Sequence, residues 1–96
     1  MQSDIAIRGA KVLLYGVFND REGVARRVLQ LADRIEPFMT PKVDLVVTEN
    51  SDWDRNFDLA RRENPAVKFI RADFFRDHAR DAATVQSANK YLINKK

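Results

Sequence analysis

Few side chains in this sequence suit bond-making chemistry. It contains no cysteine, which removes thiolate nucleophiles, disulfides and thiolate zinc sites together, and fits a reducing intracellular compartment. His78 is the single histidine. With no ligand spacing around it, it reads as a partly buried or hydrogen-bonded helix residue rather than a metal ligand. Carboxylates are plentiful, yet no Gly-rich phosphate loop, Ser-His-Asp set or paired acid motif occurs. The expectation is a protein without catalytic activity, cofactor or metal. What remains is the chemistry of recognition. Trp53 and Phe75 offer large aromatic contact areas of the kind that carry binding energy at protein interfaces. Arg26-Arg27, Arg61-Arg62 and Lys95-Lys96 are basic pairs suited to nucleic-acid phosphates. Asp33, Asp58 and Glu63 interleave with them, and no aromatic–basic alternation marks a base-stacking platform. A solvated mixed face is the plainer reading. The net charge of +3, from 17 basic and 14 acidic residues, permits attraction to anionic partners without requiring it.

A fold must position these residues, and 96 residues with 45% hydrophobic content make one globular domain. No apolar run approaches the roughly 20 residues that span a bilayer, and no signal-peptide pattern opens the chain. Residues 1–10 form a polar lead-in; residues 11–96 form the domain. Residues 11–18 are nearly all apolar and predict a central strand. Asn19-Asp20 starts a helix that runs from Arg21 to about Arg34, with Val24, Val28, Leu31 and Ile35 on one stripe. Gly23 inside it indicates a close contact or a late start. Pro37 makes residues 35–38 a short edge strand. Residues 43–48, Val-Asp-Leu-Val-Val-Thr, are the most β-branched run and predict a strand buried on both faces. Ser51 and Asp54 resemble a capping box, placing Trp53 in the first turn of a helix whose inner face adds Phe57 and Ala60. Arg55, Asp58, Arg61 and Arg62 point outward, and Asn64-Pro65 ends the helix. Residues 67–70 predict a fourth strand. Asp73 caps a third helix with Phe74, Phe75, Ala79, Ala82 and Ala83, and Tyr91-Leu92-Ile93 is a closing apolar anchor. The class is α/β, in the order β-α-β-β-α-β-α. The four-residue loop between the second and third strands is too short for a crossover between adjacent parallel strands. They therefore flank the first, giving a four-stranded parallel sheet in the order 2-1-3-4 with about three helices.

These motifs in this order resemble the BRCT family. The points of likeness are Tyr15-Gly16-Val17-Phe18 ending the first strand, Leu31 ending the first helix, and Ile35 leading to the 43–48 strand. They continue through Val67-Lys68-Phe69-Ile70, the aromatic Phe74 and the closing Tyr91-Leu92-Ile93, so they span residues 11–93. The departures mark a divergent member. Ala32-Asp33 stands where the family has Gly-Gly, Phe74 where it has Trp, and His78 where it has a small residue. The pattern over residues 35–48 is also similar to the BRCT-like domain of the replication-initiation kinase's regulatory subunit, with yeast silencing scaffolds a second likeness. The resemblance implies a BRCT-like fold and a non-catalytic protein–protein interaction module in a nuclear replication, repair, chromatin or silencing protein, often one that recognises phosphopeptides. In such members a hydroxyl and a backbone N–H at the end of strand one, with a lysine near the start of helix two, grip phosphate. Carried onto this chain, those places are Tyr15, Gly16, and Arg55 or Asn56. The plainer alternative is that Tyr15 packs and Arg55 is a solvated charge. Trp53 is then either an interface aromatic beside the pocket or a core residue with Phe57. Phe74 takes the family's core place, which leaves Phe75 a semi-exposed interface candidate. Two other readings follow: a DNA-binding member using Arg26, Arg27, Arg61 and Arg62, and a docking domain that self-associates through an apolar surface.

Overall fold

The computed structural model describes residues 9–77 and 91–94. Its sheet has four parallel strands, β1 (Lys11–Tyr15), β2 (Arg34–Glu36), β3 (Leu45–Thr48) and β4 (Lys68–Arg71), in the order β2-β1-β3-β4. Val12 faces Ile35 on one side and Leu45 on the other, and Val46 faces Phe69. All four residues of β3 are buried, as a central strand covered on both faces requires. Successive side chains point to opposite faces, so the strands feed two cores. Val12, Leu14, Leu45, Val47 and Ile70 pack with Val24 and Val28 of α1 (Arg21–Leu29) and with Phe74 and Phe75 of α3 (Asp73–Asp77). On the other face, Val46 and Phe69 pack with Phe57 of α2 (Arg55–Glu63), joined by Leu13, Tyr15 and Trp53. The predicted order and layering are those observed.

The boundaries differ for local reasons. β1 ends at Tyr15 rather than Phe18, because Gly16 takes φ +87° and turns the chain away. Val17 is consequently 91% exposed. In α1 the Asp20 side chain caps the helix by accepting the Gly23 N–H at 3.0 Å. A methyl group on Gly23 would collide with that carboxylate, which is the close contact the glycine signals. α1 stops at Leu29, not near Arg34. Ala32 N–H turns back onto the Val28 carbonyl, and Asp33 N–H donates to Ala10, so the chain is already entering the sheet. The third strand begins at Leu45; Asp44 before it donates its N–H to the Lys11 carbonyl and accepts the Lys11 N–H on its carboxylate.

Three expectations at the helices are corrected. Asp54, not Ser51, is the N-cap of α2, accepting the Asn56 N–H at 2.8 Å, so Trp53 precedes the helix rather than sitting in its first turn. Asp73 is the first residue of α3, and the Ala72 carbonyl accepts from Phe75 and Arg76. Phe75 is fully buried, not semi-exposed. Both neighbouring phenylalanines fit inward because α3 is wedged between the sheet and α1, and the two rings meet edge to face at 5.1 Å. Phe75 is therefore no interface residue. At the far edge Leu92 bridges Ile70 and Ile93 N–H donates to Phe69. His78, Ala79, Ala82, Ala83, Lys95 and Lys96 lie outside the described residues. Among those described, no helix is long and apolar enough to cross a membrane.

Candidate binding edge at the ends of β1 and β3

The carboxyl ends of β1 and β3 and the start of α2 meet at one edge, where open parallel sheets place their ligands. Tyr15, last in β1, lays its ring edge-on against Phe57, with centroids 5.5 Å apart, while its hydroxyl reaches the surface. There it accepts from the Asn56 amide at 2.7 Å and donates to Asp54 Oδ2 at 3.1 Å. The same Asp54 oxygen accepts from the Asn50 amide at 3.3 Å, and Thr48 Oγ1 accepts the Asn50 N–H at 3.2 Å. Gly16 is exposed beside this network; a Cβ there would lie 4.0 Å from Thr48 Oγ1. Tyr15, Gly16 and Asn56 are thus brought together. Arg55 is exposed one residue away and lines the neighbouring shallow cleft of about 560 Å³ between Glu49 and Arg55. That cleft also holds Asp52 and Asp54, so the guanidinium stands among carboxylates.

A second, more apolar cleft of about 340 Å³ lies between α2 and the loop after β2, lined by Tyr15, Met39, Asn56, Leu59, Ala60, Arg62 and Glu63. Trp53 is half-buried beneath the edge, with its ring at 5.3 Å from Phe57 and 5.1 Å from Phe69. Arg61 does not point freely outward: its guanidinium stacks over Trp53 at 4.6 Å. Of the arginines considered for nucleic acid, Arg26 and Arg27 lie on α1 and Arg61 and Arg62 on α2, helices that cover opposite faces of the sheet. They do not form one continuous basic stripe.

Sequence reasoning passed over three parts of this edge. Asp54 holds the network together, whereas its sequence context marks it only as the second member of a capping box with Ser51. Glu49 and Arg76 form a bidentate ion pair, Nη1 to Oε1 at 2.9 Å and Nη2 to Oε2, and Glu49 also accepts the Asn19 N–H at 3.3 Å. The Arg76 hydrogen bonds hold the Glu49 carboxyl below its ordinary value, against partial burial that works the other way, with the Asn19 N–H adding to the lowering. Leu59, 53% exposed, gives no periodic signal because it stands alone on an otherwise charged face.

No family model matches the chain. Its relatives include rat DNA repair protein XRCC1, 35% identical over 66 residues, and the human protein, 32% identical over 66 residues. Each alignment covers 67% of this chain and 10% of the relative, so the chain spans about a tenth of those proteins. Among solved structures, the second XRCC1 BRCT domain superposes with a TM-score of 0.75 at 24% identity, covering 99% of this chain and 96% of that one. The C-terminal BRCT domain of human XRCC1 gives 0.73 at 22%, with 97% of each chain covered. A Rad4 BRCT1,2 structure in complex with an Mdb1 phosphopeptide gives 0.70 at 12%, covering 92% of this chain and 52% of that one.

Proposed function

Given that the chain is a divergent BRCT domain, we propose that it acts as a non-catalytic protein-interaction module within a larger nuclear DNA repair protein. The observation that carries this reading is the edge itself. Tyr15, Gly16 and Asn56 converge beside an apolar cleft, with Trp53 exposed in part along the adjoining one. Apolar clefts with a few convergent polar groups suit a peptide segment. The relatives point the same way: XRCC1 is named for DNA repair, and Rad4 BRCT domains of the same fold were solved with phosphopeptides.

A phosphorylated partner is the finer form of this reading. Its support is Arg55, exposed at the start of α2, where an anion is favoured. The Tyr15 hydroxyl proton and one α2 amide already go to Asp54. Phosphate would be held by Arg55, Gly16 N–H and the Asn56 amide, all at the surface. Such an exposed contact contributes about 1 kcal/mol, roughly fivefold in affinity. Titration of peptides selected on the domain, with and without phosphate, tests this. The expected result is binding in both forms, with a modest phosphate preference that disappears in Arg55→Ala. Peptides that shift no signals of Gly16 or Asn56 would refute docking at this edge. Duplex DNA binding that falls steeply with salt and with Arg26→Ala would favour the nucleic-acid reading instead.

A further inference from the structure

The loop between β2 and β3, residues 37–44, carries a dipeptide that the binding edge does not use, Thr40-Pro41. Nowhere else in the sequence does a proline follow a serine or threonine. Phe38, Pro41 and Lys42 around it are exposed, and Thr40 is half-buried. Proline restricts the residue before it to extended backbone and has no N–H of its own to be satisfied. An extended acceptor residue with proline directly after it is the substrate pattern of proline-directed serine/threonine kinases. Their clefts take the ring against apolar side chains and require no hydrogen-bond donor at that position.

The hydroxyl is available in the folded chain. Thr40 Oγ1 accepts the Lys42 N–H at 3.2 Å at the surface, and the Thr40 carbonyl accepts the Val43 N–H at 3.1 Å. Both bonds use threonine oxygens as acceptors, and neither requires the hydroxyl proton. The turn is anchored from behind by Asn64, whose side-chain amide donates to the Pro41 and Val43 carbonyls. Among the described residues the other serine and threonine hydroxyls belong to Thr48 and Ser51. Thr48 is buried in β3, and Ser51 precedes an aspartate.

We propose that Thr40 is a phosphorylation site for a proline-directed serine/threonine kinase. In the transfer, Thr40 Oγ1 bonds to the γ-phosphorus of magnesium-bound ATP, and the bond from that phosphorus to the bridging oxygen breaks. ADP leaves with the electron pair, and the hydroxyl proton passes to the kinase's catalytic carboxylate. The product carries about −1.5 to −2 charge near neutral pH. Its oxygens take over the Lys42 N–H as a charge-assisted bond, and the Lys42 side chain supplies a cation two residues on. The domain therefore stays folded and displays a phosphate on this loop. The inference does not rest on peptide docking at the carboxyl ends of the strands.

Incubation of the 96-residue chain with a purified cyclin-dependent kinase and radiolabelled ATP tests it, beside a synthetic peptide of residues 35–46. Mass spectrometry locates the label. The expected result is labelling of the folded chain at Thr40, abolished in Thr40→Ala and retained in Thr40→Ser. Pro41→Ala keeps the hydroxyl and loses most of the label, which separates proline direction from mere exposure. Circular dichroism confirms that these loop variants fold. The Lys42 amide signal moves downfield in the modified chain, because it donates to a charged oxygen. A labelled peptide beside an unlabelled chain would show that the fold withholds the hydroxyl, and overturns the proposal. No label on either, label at Ser51, or label that survives Pro41→Ala in full overturns it as well.

Discussion

The ion pair between Glu49 and Arg76 ties the end of β3 to α3 and, through the Asn19 N–H, to the loop that follows β1. Removing it tests whether this edge is held by electrostatics or only by the cores beneath. The two side chains are 19% and 28% exposed, so the pair is neither deeply buried nor freely solvated. A hydrogen bond to a charged group contributes about 1.5–3 kcal/mol, and two are made here. Ordering the long arginine and glutamate side chains costs about 1.5–2 kcal/mol each. The net coupling is therefore about 1 kcal/mol, at the upper end of the range for a surface pair. The assay is a double-mutant cycle of Glu49→Gln and Arg76→Met in urea unfolding at pH 7 and at pH 3. The double variant removes the Arg76–Asp73 contact together with the pair, and the cycle cancels it. Because Glu49 is held below its ordinary pKa in the folded chain, its contribution is complete above the unfolded value, near 4.5. It is lost as pH falls through the lower folded value. Coupling at pH 7 that vanishes at acid pH is the expected outcome. A coupling under about 0.3 kcal/mol at pH 7, or one unchanged at pH 3, would refute the assignment.

Three further substitutions probe the packing of α3 and the cap of α1. Phe75→Ala should cost about 3–5 kcal/mol, and each kcal/mol lowers Tm by about 4–8 °C in a domain this size. Phe38→Ala, at a site 75% exposed, should leave Tm nearly unchanged; equal effects by differential scanning calorimetry would contradict the packing of α3. Gly23→Ala should not stabilise the domain, because displacing the Asp20 cap costs about 1 kcal/mol and offsets alanine's better helix propensity of about the same size. A stabilised variant in urea unfolding would show that Asp20 moves aside without loss.

The sheet was legible in the sequence because β1 and β3 are continuous apolar runs and because a short loop cannot join adjacent parallel strands. That argument alone orders β2, β1 and β3. Leu31 and Ala32 misled because a buried turn keeps the apolar spacing of a helix while the chain has already left it. The site was less legible. Tyr15, Gly16 and Asn56 came from a family resemblance and do converge, but Asp54 and the Glu49–Arg76 pair join residues 39 and 27 positions apart. No local spacing encodes such pairs. Phe75 escapes sequence reading because the geometry of a lone helix allows one of two adjacent phenylalanines inward, whereas α3 is covered on two sides.

Both borders of the sheet are blunted. β2 offers only three residues before Pro37, which has no N–H to give. The outer side of β4 is crossed by the returning segment at Leu92 and Ile93. A foreign strand therefore finds no long ladder to extend, which guards the domain against edge-to-edge aggregation. It also turns recognition toward loops and helix surfaces, where a few substitutions can change the partner without disturbing the sheet.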